Sequence, residues 1–200
     1  MDIGCGTGRV EQALEGRARM WGVDASEKML TVAQRRGLSA RFKLARAEQL
    51  PFKDGWFERA IMWLVVHLVD RPRALAEAYR VLAPGGRLAI VTFHPDYFGR
   101  YWANRLFPSI EEIDRTRFPT QDRLQEELLS ARFGHVRFER LSQNGVLSRE
   151  KALERISRRH ISTFDLLDDE EIRAGAEQAE HELPDRIEYP IELLIAIAER

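Results

Sequence analysis

A single cysteine, Cys5, among 200 residues excludes an internal disulfide and a thiolate-built zinc site, and it fits a reducing, cytoplasmic setting. Histidine is scarce too, at 5 residues, and no His/Asp/Glu group has metal-ligand spacing, so no metal is expected. Long apolar runs are missing. Ala60 to Val69, interrupted by His67, is about half the ~20 residues a membrane-spanning helix needs, which excludes membrane insertion. No basic stretch leads from Met1 into an apolar core, so no secretory signal is expected. Net charge of one sign is lacking as well: at −1 the chain has no global field to recruit nucleic acid or an anionic membrane. Gly-x-Ser-x-Gly is absent, and with it any motif for a hydrolase nucleophile elbow.

With 44% hydrophobic and 32% charged residues and only 8 prolines, the composition is that of a folded globular chain long enough to bury a real core. No Gly/Ser linker divides it, so 1–200 is expected to be a single domain. Charge is uneven along it. From Ser148 to Arg200 acidic residues outnumber basic ones 14 to 8, which fits solvated helix faces or an acidic cover over a more basic body.

Hydrophobic period and punctuation then give the elements. Asp2 to Gly4 ends a strand, Val10 to Glu15 reads as a helix, and Met20 to Asp24 as a strand. Ser26 to Arg36 is a helix with Ser26 as N-cap, and Arg41 to Ala45 is a third strand. Phe57 to Val65 is a nearly unbroken apolar run, as a parallel strand covered on both faces should be. Pro72 to Leu82 is a helix closed by Ala83-Pro84-Gly85-Gly86, and Arg87 to Phe93 is a fifth strand. Beyond it, His94 to Phe118 is aromatic-rich and reads as short inserted helices. Gln121 to Arg132 is a helix, His135 to Ser142 a strand, and Arg149 to Arg159 and Asp168 to Leu183 are polar helices. Ile187 to Ala198 closes the chain as a strand, although its periodicity also allows a helix. Alternating strands and helices predict an α/β, Rossmann-like, doubly wound sheet of seven strands, the last antiparallel. Helical insertions follow the fifth strand (96–118) and precede the last (148–184).

The sharpest signal is Asp2-Ile3-Gly4-Cys5-Gly6-Thr7-Gly8-Arg9, a strand end that passes through three alternating glycines into a helix. Glycine serves where the backbone needs positive φ or a ligand must approach with no Cβ in the way. A dinucleotide loop would read Gly-x-Gly-x-x-Gly, which Arg9 breaks. The spacing led by Asp2 suits a ligand with a cationic amino-acid end. Asp24 closes the next strand, and a carboxylate ~20 residues after a glycine loop can accept from both hydroxyls of a ribose.

Asp2 to Arg9, Gly22 to Leu30, Ala47 to Phe52 and Arg80 to Val91 resemble, in order and spacing, the successive motifs of the class I S-adenosylmethionine-dependent methyltransferases. The resemblance is to the small-molecule group that includes the ubiquinone and menaquinone C-methyltransferases, and it covers roughly residues 1–95, the expected cofactor-binding half. It implies S-adenosyl-L-methionine as cofactor. Asp2, Gly4, Cys5, Gly6 and Gly8 would hold the methionine end, with Thr7 in the same loop, and Asp24 the ribose. Ala25 and Met29 would cover one face of the adenine, Ala47 and Glu48 would reach its edge, and Trp63 and Leu64 would lie beside the sulfonium. Where Arg46 stands, members commonly carry an aspartate. Guanidinium is donor-only, so either Glu48 or backbone and stacking must hold the adenine instead. Members also carry a full first strand and preceding helices, so with Met1 inside that strand the site is expected to be open on one side, with exposed apolar surface and a homodimer formed through the gap.

Methyl transfer to a small-molecule acceptor is an in-line displacement in which positioning dominates, and a base is needed only for a hydroxyl or a carbon acid. His67 and His94 are the candidate catalytic residues, His94 at the carboxyl edge where open α/β sheets bind ligands; His160 reads as structural. Either histidine could equally be held by backbone. The aromatics from Phe93 to Phe118 could line an acceptor pocket or simply pack the inserted helices. A nicotinamide-dependent oxidoreductase and a non-catalytic, cofactor-binding regulatory relative are the alternative functions.

Overall fold

The computed structural model describes all residues, Met1–Arg200, and by its internal contacts the chain resolves into two units. The first comprises Met1–Thr92, Thr120–Glu139 and Leu194–Arg200, the second Phe93–Pro119 and Arg140–Leu193.

In the first unit a parallel sheet is wound from β1 (Asp2–Ile3), β2 (Trp21–Asp24), β3 (Arg41–Leu44), β4 (Phe57–Trp63) and β5 (Leu82–Phe93). β6 (Gly134–Ser148) and β7 (Arg186–Glu199) complete the order β3-β2-β1-β4-β5-β7-β6. The register is direct. Asp2 pairs with Gly22 on one side and Ile61 on the other, and Trp21 to Asp24 run beside Arg41 to Leu44. Gly85 N–H donates to the Arg200 carbonyl and Arg200 N–H to that of Gly86, so β7 runs antiparallel to β5. The seven-stranded mixed sheet expected from the sequence is therefore present. No helix is long and apolar enough to cross a membrane.

The helices form where sequence and packing agree. α2 (Glu27–Gln34) starts on Ser26, whose hydroxyl accepts from Met29 N–H at 3.3 Å. α3 (Arg71–Val81) starts on Asp70, which accepts from Arg73 N–H, and it buries Ala74, Leu75, Ala78 and Val81, the i, i+1, i+4, i+7 face that packs on a sheet. α5 (Gln121–Ser130) adds Leu124 and Leu128 to the same core, where Ile3, Met62, Leu88 and Ile90 are also buried. α1 is short, only Arg9–Ala13.

Several element boundaries differ from the sequence reading; β6, for one, runs to Ser148, six residues beyond the expected Ser142. β4 stops at Trp63 because Leu64 takes a left-handed φ of 51°, which breaks the pleat two residues before the expected end. β5 begins at Leu82, directly after α3, since Phe57 pairs with Leu82 and the glycines at 85 and 86 bond to Arg200 instead of forming a loop. The first strand is itself covered. Met1, Asp2 and Ile3 are buried, with β1 held between β2 and β4.

Arg80 ties the loop after β3 to α3. Its guanidinium donates to the carbonyls of Leu50 and Phe52 and to the carboxylates of Asp54 and Glu77, while Glu77 accepts from Leu50 N–H. Arg80→Ala takes the side-chain donor from the Phe52 carbonyl and from Glu77 and Asp54, leaves the Leu50 carbonyl only Phe52 N–H, and is expected to cost about 2 kcal/mol, read as a lower urea midpoint with unchanged slope.

The second unit contains α4 (Ser109–Arg117), α6 (Arg149–Ser157) and α7 (Asp169–Glu182), with α7 capped by Asp168. Tyr97, Phe98, Tyr101, Phe107, Phe118 and Phe164 are its core, with Phe93 stacked on Tyr97 at 4.3 Å. The aromatics after the fifth strand therefore spend their surface on one another.

Candidate functional site

In the first unit, the strand order reverses at β1 and β4, and a crevice beyond their carboxyl ends is where open α/β sheets place ligands. Their exit loops touch: a Cβ on Gly4 would stand 2.4 Å from a Val65 methyl.

The glycine loop is latched to the end of β2. Gly4 and Cys5 N–H both donate to the Val23 carbonyl, and Gly6 N–H donates to Asp24 Oδ2 at 2.8 Å. The three glycines do different work. Gly4 (φ 78°) and Gly8 (φ 77°) face protein, Gly8 with Ala33 Cβ at 3.1 Å from where its own Cβ would be. Gly6 (φ 53°) has nothing within 4 Å, so it alone faces open space. Thr7 offers its carbonyl to Arg36 Nε at 2.6 Å, and Cys5 is buried, its thiol pushed up by that burial and by the carboxyls around it, hence protonated and unreactive.

Asp24 Oδ1 accepts from Ser26 N–H at 2.8 Å, so each of its oxygens already serves one backbone N–H. A carboxylate oxygen has two lone pairs, which leaves one on each for a diol. Ala25 and Met29 beside it are exposed, Met29 at 46%, and Ala47 is buried. Beyond β4, Trp63 is 44% exposed and Leu64 carries the strained φ. Glu48 faces another way: Oε1 accepts from Asp70 N–H at 2.9 Å and Oε2 lies 3.3 Å from Arg46 Nε. Burial opposes its charge, but these partners outweigh burial and hold the carboxyl below its usual range. Only spare lone pairs remain for an adenine edge.

Asp2 is placed differently from the expectation. Its carboxyl oxygens are sealed beneath the loop, with Asp2 1% exposed, so it meets a ligand's charge through space and not by open contact. Its neighbour there is Glu11 of α1, 0% exposed, which the sequence reading missed. A glycine inside a strand marks a close approach, and Gly22 was the available signal: its Cβ would stand 2.5 Å from Glu11 Oε1.

The two candidate histidines belong to different units. His67 sits, half-buried, in a 3₁₀ turn over Val66–Leu68 after β4. His94 belongs to the second unit, where Nδ1 accepts from Asp96 N–H at 3.2 Å and caps a 3₁₀ turn over Pro95–Arg100. With Nδ1 so engaged, the neutral ring carries its proton on Nε2 and has no free lone pair for a base. His160 is exposed, but its ring lies 6.3 Å from that of Phe164, and partial desolvation first and Arg155 second lower its pKa to about 4, in keeping with a structural role.

Residues 1–90 match the family described as methyltransferase domain. The chain is 34% identical to the demethylmenaquinone methyltransferase of Thermus thermophilus over 173 residues, 71% of this chain and 76% of that protein. It is 39% identical to the demethylmenaquinone methyltransferase of Symbiobacterium thermophilum over 100 residues, 44% of this chain and 39% of that protein. Among solved structures, the YcgJ protein from Bacillus subtilis aligns over 100% of this chain and 90% of its own, with TM-score 0.65 and 22% identity. Geranyl diphosphate C-methyltransferase from Streptomyces coelicolor A3(2), in complex with Mg²⁺, geranyl diphosphate and S-adenosyl-L-homocysteine, aligns over 100% and 69%, with TM-score 0.58 and 19% identity. At such identities the structural likeness speaks for the fold.

Proposed function

The chain belongs to the class I S-adenosylmethionine-dependent small-molecule methyltransferases, and on that premise we propose that the cleft beyond β1, β2 and β4 holds the cofactor for transfer to a quinone-like aromatic acceptor. The cofactor is S-adenosyl-L-methionine, which supplies a methyl group already activated on a sulfonium. In the proposal Gly6 lets the amino-acid end lie on bare backbone, and Asp24 takes the ribose hydroxyls with its two spare lone pairs. Ala25, Met29 and Ala47 cover the adenine, with Glu48 at its rim, and Trp63 and Leu64 flank the sulfonium. The observation that carries the reading is the empty space over Gly6 beside a carboxylate with one acceptor site free on each oxygen. The fit extends to the open faces of Met29 and Trp63.

The acceptor class is taken from the relatives, which are named for demethylmenaquinone. It is supported by exposed Trp63 and Leu68 after β4, apolar surface of the kind a flat ring covers. A carbon acceptor of that class, once ionised, needs no strong base, which suits a site where His94 offers none and His67 is the remaining candidate. The second unit, with the insertions 96–118 and 148–184, is proposed to select the acceptor; the expected result is slowed hydrogen exchange in those segments on adding acceptor, and unchanged exchange would defeat it. A cytoplasmic setting belongs to the same proposal, supported by a lone, buried thiol. The nicotinamide alternative finds no counterpart among the relatives.

Calorimetry with S-adenosylhomocysteine and NAD, followed by turnover with a panel of demethylated quinols, tests the reading. Binding of NAD alone defeats it. Gly6→Ala is the sharper probe: its Cβ meets no protein atom, so the fold loses only the left-handed backbone strain of about 1–2 kcal/mol, while S-adenosylhomocysteine affinity drops more than about tenfold. Undiminished affinity would make the loop a structural turn only.

A further inference from the structure

We propose that Asp2 and Glu11 hold one proton between them in a sealed chamber beneath the glycine loop, and that Glu11 is a positioning residue that sets, through this proton, how strongly Asp2 draws the cationic end of the cofactor. The inference deepens the functional reading above and rests on it for the place of that cationic end.

The chamber is made by an absence. Asp2 lies opposite Gly22 in the β1–β2 ladder, and the missing Cβ of Gly22 leaves the notch that Glu11 Oε1 and Cys5 Sγ enter, at 2.5 and 2.9 Å from where that Cβ would be. Asp2 and Glu11 are 1% and 0% exposed, and their four carboxyl oxygens have no well-formed hydrogen-bond partner, the backbone N–H of Glu11 approaching only its own carboxyl. The notch that admits Glu11 Oε1 lies opposite Asp2 in the ladder, which brings the two sealed carboxyls to the same side of β1 and β2. An ionised carboxylate only accepts, so a bond between two carboxyls requires that one be protonated. The proton of the pair is thus the donor the chamber otherwise lacks.

The surrounding charges leave this intact. The Met1 amino group, which donates to the Arg59 carbonyl, favours ionisation of both groups while it is charged, but burial lowers its own pKa and weakens that pull as pH rises, whereas Asp24 opposes ionisation of Asp2. The Cys5 thiol is neutral, and the neighbouring strands present Ile61 and Phe42, both apolar. Burial dominates. It raises the Asp2 carboxyl to about 8, helped by the charge of Glu11, and raises Glu11 as well.

Two consequences have fixed signs. In the unfolded chain both groups titrate near 4, so stability from the shared proton is complete below that value and is lost as pH rises through about 8. The cofactor's ammonium favours the ionised pair, so binding expels the proton. Affinity therefore climbs with pH toward 8, by at most about tenfold per unit if a whole proton leaves.

The test uses wild type, Glu11→Gln and Asp2→Asn. In ligand-free wild type, carbon-13 NMR of labelled carboxyls should show at least one titrating near 8, and the melting temperature should fall between pH 5 and 8. Glu11→Gln, which donates to Asp2 permanently, should flatten the melting profile and bind S-adenosylhomocysteine at pH 6 about as wild type does at pH 8. Asp2→Asn should flatten the melting profile too, but with weakened binding at every pH. Carboxyls that all titrate in the ordinary range, or a Glu11→Gln profile that copies wild type, overturn the proposal. Absence of any S-adenosylhomocysteine binding by wild type overturns the functional reading instead, and the NMR titration still decides the proton.

Discussion

Asp24→Ala is expected to reduce S-adenosylhomocysteine affinity by at least about a hundredfold, since two charge-assisted hydrogen bonds to a ribose are each worth ~1.5–3 kcal/mol in a desolvated cleft. The structure adds a second loss. Oδ2 holds Gly6 N–H and Oδ1 holds Ser26 N–H, so removing the carboxylate also frees the loop that the amino-acid end would lie on and strips the start of α2 of one acceptor. Asp24→Asn separates the two effects, because an amide keeps one acceptor oxygen for a backbone N–H but presents a donor where the other oxygen stood. Calorimetry on both variants, with circular dichroism to verify the fold, checks the assignment. Unchanged affinity in Asp24→Ala would remove Asp24 from the site.

Gly4→Ala is expected to be the most damaging single-methyl change in the loop, lowering stability by about 3 kcal/mol or more. At φ 78° an L side chain is strained by about 1–2 kcal/mol, and its Cβ would stand 2.4 Å from a Val65 methyl and 2.8 Å from Val65 Cβ, an overpacking that costs about 1–3 kcal/mol more. The melting temperature should fall by about 6–12 °C at this chain length. Val65→Ala in the same chain removes the colliding methyls but keeps the Cβ, so it should recover much of the packing part while leaving the backbone part, a coupling that a double-mutant cycle measures. A fall no larger than that of Gly6→Ala, whose Cβ meets nothing, would show that the β1 and β4 exit loops do not press on each other.

The sequence by itself determined the class of fold and the family, because both rest on local signals. Ser26 and Asp168 cap helices through hydroxyl and carboxylate groups within three residues of the N–H they serve, and α3 shows its buried face by spacing alone. The glycine loop followed by Asp24 needs only chain order to be recognised. What the tertiary structure decided are contacts between residues far apart in sequence. Spacing could not tell that Gly4 is kept small by Val65 and Gly6 by nothing, since that depends on the neighbour the fold brings to each. Nor could it show that Glu11 turns inward to Asp2: a glutamate in the first turn of a helix reads as solvated until Gly22, on the adjoining strand, opens a notch for it. His94 looked free to act as a base from its position, and only the fold showed its lone pair spent on Asp96. Periodicity records which face of an element is covered, while the protonation and hydrogen-bond capacity of a buried side chain belong to whatever covers it.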